Sequence, residues 1–96
     1  MRSLEADETD LVGKWIMSDG KVVGDSTTER IEWLVSKVLT RIAFHPELGA
    51  WETLFRDPTD DRYWERTFPE SQMHGGGLPR LWHISEEEAR IKYKLA

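Results

Sequence analysis

The sequence predicts a small α+β fold, with antiparallel hairpins forming one sheet packed on one long helix and a short helix near the C-terminal end. Three observations carry that expectation. Apolar residues recur at helical spacing from Ile31 to Ile42, Asp19-Gly20 separates two short apolar runs, and an aromatic-rich stretch from Ala50 to Glu70 is interrupted by Asp57-Pro58-Thr59-Asp60-Asp61.

The first element is LVGKWIMSDGKVV, Leu11 to Val23. Asp-Gly favours a type I′ turn, whose two central residues need positive φ, so a small hairpin is expected there. Next, Ser26-Thr27-Thr28-Glu29 reads as a capping box ahead of Ile31, Leu34, Val35, Val38, Leu39 and Ile42. Those six positions form one stripe and predict a helix from about Thr27 to Phe44, stopped by Pro46. Trp33 falls nearly opposite the stripe, among Glu29, Lys37 and Thr40. Either a second layer covers that face or the indole meets a partner; cover within the domain is preferred, because aromatic area is more often buried.

The segment AWETLFRDPTDDRYWERTFPE has β-favouring flanks around a Pro- and Asp-rich centre, which predicts a hairpin with a tip of about five residues. One register sets Leu54 opposite Trp64 and Glu52 opposite Arg66, leaving Trp51, Phe55 and Tyr63 for the other face. Apolar groups on both faces require cover on both sides or an interface on one, and the long helix covers only one. Leu81 to Ile84 reads as a strand. Ser85-Glu86-Glu87-Glu88 is a second capping box, opening a helix through Ala89 to about Tyr93 with acids at its positive end.

Ninety-six residues suffice for one domain, expected over residues 11–96 behind a short acidic lead-in at residues 1–10. A hydrophobic content of 39% with five tryptophans allows a packed core, whereas 32% charged residues argue against a membrane protein. The absence of cysteine excludes disulfides and thiolate zinc sites and fits a reducing compartment. The opening MRSLEADETDL lacks the apolar run of a signal peptide, so the expected location is cytoplasmic. A net charge of −5 disfavours direct nucleic-acid contact and suits a basic partner, although mild acidity that simply keeps a protein soluble is the stronger default reading.

Three consecutive glycines in SQMHGGGLPRLW invite a catalytic reading. His-Gly-Gly-Gly can supply oxyanion-hole amides in α/β-hydrolases, but the G-x-S-x-G elbow is missing and the chain is too short for the parallel sheet that carries it. A phosphate loop needs Lys-Ser or Lys-Thr after spaced glycines, and here Leu78-Pro79 follows instead. His45, His74 and His83 have no zinc-binding spacing, so neither metal nor cofactor is expected. Turn and cap roles account for Asp57, Asp60, Asp61 and Glu86 to Glu88, which stay candidates for a negative surface facing a basic partner. The residues alone therefore point to a compact acidic binding domain rather than an enzyme. A small housekeeping ligand-binding module or enzyme subunit, using the glycine loop as a cradle, is the alternative.

Taken in order, LVGKWIMSDGKVVGD, RIEWLVSKVL, FRDPTDDRYWERTFPESQMHGGGLPRL and EEEARIKY resemble the Immunity protein 27 family of bacterial polymorphic toxin systems, over about Leu11 to Tyr93. The family pattern has a Gly-Gly-Gly-Pro-Pro run, and Leu78 stands where its first proline would be. The resemblance implies a non-catalytic cytoplasmic protein that neutralises a cognate toxin domain, such as a basic nuclease or another enzyme acting in the cytosol, by stoichiometric binding. The expected contacts are Asp57, Asp60, Asp61, Tyr63, Glu70, His74, Gly75, Gly76 and Gly77.

Overall fold

The computed structural model describes residues 1–70 and 77–95. Among them the chain runs β1 (Asp10–Val12), β2 (Trp15–Ser18), β3 (Lys21–Gly24), α1 (Ser26–Trp33), a π-helical turn (Leu34–Val38), β4 (Thr40–His45), β5 (Gly49–Arg56), β6 (Tyr63–Thr67), β7 (Arg80–Ile84) and α2 (Glu86–Lys92). Five strands form an antiparallel sheet in the order β1-β7-β6-β5-β4, and β2 and β3 form a separate two-stranded ribbon. The α+β class with a mostly antiparallel sheet is therefore as expected. The ribbon turns at Asp19 and Gly20, with φ of 51° and 77°, as the Asp-Gly signal required.

The long helix is not present. An α-helix of 8 residues runs into a π turn of 5, closed by a hydrogen bond of 2.8 Å from Leu39 N to Leu34 O. Leu39 then turns extended, at φ −81° and ψ 148°, so Ile42 and Phe44 lie on a strand. Ile42 followed the apolar stripe only by coincidence of spacing. Thr40, Ile42 and Phe44 favour a pleated strand, and pairing with β5 decides the outcome. Pro46 belongs to the β4–β5 turn, where His45 Nδ1 accepts from the amides of Glu47 and Leu48 at 3.0 and 3.1 Å. The N-cap is also one residue earlier than expected: Asp25 accepts from Thr28 N at 2.9 Å.

The β5–β6 register differs by one from the expected pairing. Leu54 faces Glu65 and Glu52 faces Thr67, while Trp64 faces Phe55 and Arg66 faces Thr53. Arg62 joins the connection, because Asp57 N bonds Arg62 O at 2.9 Å, and the extra residue shifts every pair beyond it. Tyr63 consequently leaves the Phe55 face and joins that of Leu54.

Both faces of the sheet are covered. Phe55, Trp64, Leu81 and Leu11 pack with Ile31, Leu34 and Leu39 from the α1 side, and Trp33 is partly buried against that cluster. On the opposite face Leu54 and Ile84 pack with Ala89 and Tyr93 from the α2 side. The second cover comes from α2, whose Ser85–Glu88 capping box forms as the sequence predicts.

Glu65 lies fully buried beneath α2, where an isolated carboxylate would be costly. It accepts from Tyr93 Oη at 2.7 Å and Trp82 Nε1 at 2.8 Å, and pairs with Lys92 Nζ at 2.7 Å. Lys92 also pairs with Glu52 at 2.7 Å. Burial, and then the hydrogen bond to Glu65, push the Tyr93 phenol above its usual range. At the other end of the chain, Arg30 and Arg62 stitch the first residues to the domain through the carbonyls of Arg2, Ser3, Glu5 and Glu8.

Candidate functional site

The sequence-predicted contact residues fall at two ends of β6. At the β5–β6 tip, Asp57 is only 2% exposed, and its carboxylate accepts from Thr59 N at 2.9 Å. Asp61 N donates to the Asp57 carbonyl at 2.8 Å, so Asp57 shapes the turn from inside. Asp60 is exposed and accepts from Arg62 Nε at 2.6 Å and from Arg62 N at 3.1 Å. Burial opposes ionisation of Asp60, but these bonds outweigh it and hold the carboxyl below the usual range. Asp61, at φ 62°, pairs with Arg56 at 2.7 Å. Together with Arg62, Tyr63 and His83, Arg56 and Asp61 line a depression of about 490 Å³. The tip thus brings Asp61 and Tyr63 to one surface, with Asp60 bracing it.

Glu70 and Gly77 lie beyond the other end of β6. A Cβ on Gly77 would stand 2.8 Å from the Glu70 carbonyl oxygen, and φ there is 72°, so glycine is required for this close crossing. Glu70 is exposed and lines a groove of about 360 Å³ with Val12, Trp15, Leu78 and Pro79. His74, Gly75 and Gly76 lie outside the described residues.

Beside that groove stands the feature the sequence reading did not single out. The β2–β3 ribbon exposes Trp15 by 49%, Ile16 by 45%, Met17 by 66%, Val22 by 61% and Val23 by 36%. In WIM and KVV apolar residues follow one another instead of alternating, so both ribbon faces are apolar. That lack of alternation was the available signal. A two-stranded hairpin alone is marginal, yet this one is fixed at its base. Positions for a Cβ on Gly13 and Gly24 lie 2.4 Å and 2.8 Å from side-chain atoms of Thr28, which is therefore gripped between the two strand ends. Asp25 N closes the ladder onto Lys14 O at 2.9 Å, and Asp25 Oδ1 holds the Thr28 hydroxyl at 3.0 Å. The ribbon is an apolar arm of fixed direction, built from one contiguous segment.

Among the described residues no cluster of three or more His, Cys, Asp or Glu side chains could hold a metal ion. No described helix is long and apolar enough to cross a membrane. No curated protein and no solved structure matches the chain. The sequence model of Immunity protein 27 matches residues 17–85, from the middle of the ribbon through four of the five strands of the sheet, all but β1, to the cap of α2. With most of the chain inside that match, the protein belongs to the Immunity protein 27 family.

Proposed function

We propose that the chain neutralises a cognate toxin domain of a polymorphic toxin system by binding it stoichiometrically in the cytoplasm, without catalysing a reaction. Family membership supplies the toxin partner. The observation that carries the binding mechanism is the β2–β3 arm, whose apolar side chains stay exposed on a rigid base. Pre-organisation of that kind lowers the entropy cost of association, and exposed apolar clusters are where partners dock. The adjoining Glu70 and Gly77, with His74, Gly75 and Gly76 between them, extend the proposed surface. Asp60, Asp61 and Tyr63 supply a second, acidic contact, while Asp57 supports it by holding the turn. Residues 11–96 form the binding domain in this reading, and residues 1–10 lead into it.

The test is co-expression with the toxin domain encoded by the neighbouring gene. Growth is expected to recover, and the two purified proteins are expected to elute together at one-to-one stoichiometry. Continued killing with no complex would sink the proposal.

A further inference from the structure

Arg66 is a half-buried guanidinium that makes no ion pair among the described residues, with the Glu32 carboxylate acting on it only through space. Arg30, Arg56, Arg62 and Arg80 each hold an acidic side chain within 2.9 Å. Among the described residues Arg66 bonds only the Thr53 hydroxyl, 3.3 Å from its Nη2. Its Nε is buried with no acceptor, and its charge lies over the rings of Phe68 and Phe55 at 5.1 and 5.8 Å. Desolvation accordingly lowers the pKa of this group. A cation withdrawn from water with no carboxylate in contact is costly, and that cost falls when an anion docks against it.

Space for one is at hand. Arg66 lines an open depression of about 420 Å³ with Leu48, Ala50, Trp51 and Phe68. Trp51 stands edge-on to Phe68 at 5.6 Å, and both Leu48 and Trp51 are 49% exposed. A single cationic donor set in apolar and aromatic walls fits a singly charged planar anion on an aliphatic stem, because guanidinium geometry matches a carboxylate. A doubly charged phosphate would call for more donors than the depression has. We propose that this depression is an anchor site for an Asp or Glu side chain of the toxin, with Arg66 as donor and Trp51 as wall. The inference rests on the toxin-binding reading above. It gives the acidic chain a cationic contact that sets orientation on the partner, with lining residues distinct from those of the ribbon and the hairpin tip.

The test is a double-mutant cycle between the full chain and the toxin domain encoded beside it, read by isothermal titration. R66Q is expected to weaken binding roughly 30-fold or more, and one toxin carboxylate changed to its amide is expected to be non-additive with R66Q. W51A, at a half-exposed side chain, is expected to weaken binding in parallel and carries the test if R66Q does not fold. Wild-type affinity in W51A and in folded R66Q, or additivity at every toxin carboxylate, overturns the site. Absence of binding by the wild-type chain sinks the neutralisation reading instead, and the depression is then judged by itself. Sodium acetate titrated into isotope-labelled chain should shift the Arg66 Nε–H resonance saturably. An unmoved resonance, or an equal response to sodium phosphate, overturns carboxylate recognition.

Discussion

Glu8 holds Arg30 through both carboxylate oxygens, at 2.6 and 2.7 Å, with the two side chains only 16% and 11% exposed. The Arg30 hydrogen bonds are the main reason the Glu8 carboxyl falls from 4.5 to about 2. A depressed carboxylate pKa adds stability that is fully present above 4.5 and is lost as pH falls through about 2. Glu8→Gln should therefore cost about 2 kcal/mol at neutral pH. Urea denaturation at descending pH should show the variant and wild-type curves converging as pH approaches about 2. A pH-independent difference would refute the assignment.

Gly13 has no room for a side chain. Its Cβ would meet Thr28 Oγ1 at 2.4 Å and the Pro79 carbonyl oxygen at 3.0 Å. Gly13→Ala should destabilise the fold by about 1–3 kcal/mol, as overpacking does elsewhere. Chemical denaturation measures this directly, and an unchanged midpoint with unchanged slope would show that the ribbon base yields freely.

The Tyr93 hydroxyl and Glu65 form the buried bond that fixes α2 to the sheet. Tyr93→Phe should cost about 1–2 kcal/mol by removing it. Because the folded phenol has its pKa raised above the ordinary 10.0, its contribution is complete below that value and is lost as pH rises towards the folded pKa. Melting temperatures followed into alkali should fall less for the phenylalanine variant than for wild type. Parallel curves would remove Tyr93 from the linkage.

Met17→Asp and Val22→Asp place charges on the exposed arm. Stability should change by about 0.5 kcal/mol or less, since neither side chain packs into a core cluster. Toxin protection in co-expression should nevertheless be lost. Full protection by both variants would move the docking surface off the ribbon.

Where structure is decided locally, the sequence was readable. Asp19-Gly20 and Ser85–Glu88 specify a turn and a cap through the φ preferences and side-chain hydrogen bonds of a few neighbouring residues. It misled where distant pairing prevailed. Leu39 and Ile42 continue a helical stripe on paper, and only β5 shows why the chain opens into β4. One additional residue in the Asp57–Arg62 connection moved Trp64 from Leu54 to Phe55, a change no flanking pattern reveals. For the site, Asp60 and Asp61 were visible as tip residues and Tyr63 as a strand residue, but the inward position of Asp57 was not. Arg66 stands out by the ion pair it lacks among the described residues, which is a property of space rather than of spacing.

The ribbon joins the domain through Gly13, Gly24 and Thr28, while its apolar side chains between these joints face outward. Outside the Asp19-Gly20 turn, substitutions at the exposed Ile16, Met17, Val22 and Val23 can accumulate with little penalty to folding, whereas the sheet and its two helical covers tolerate far less. In the proposed reading, the share of recognition that the arm carries is thereby written apart from foldability. On that reading a lineage could follow part of a toxin's drift by rewriting a few neighbouring codons without disturbing the sheet.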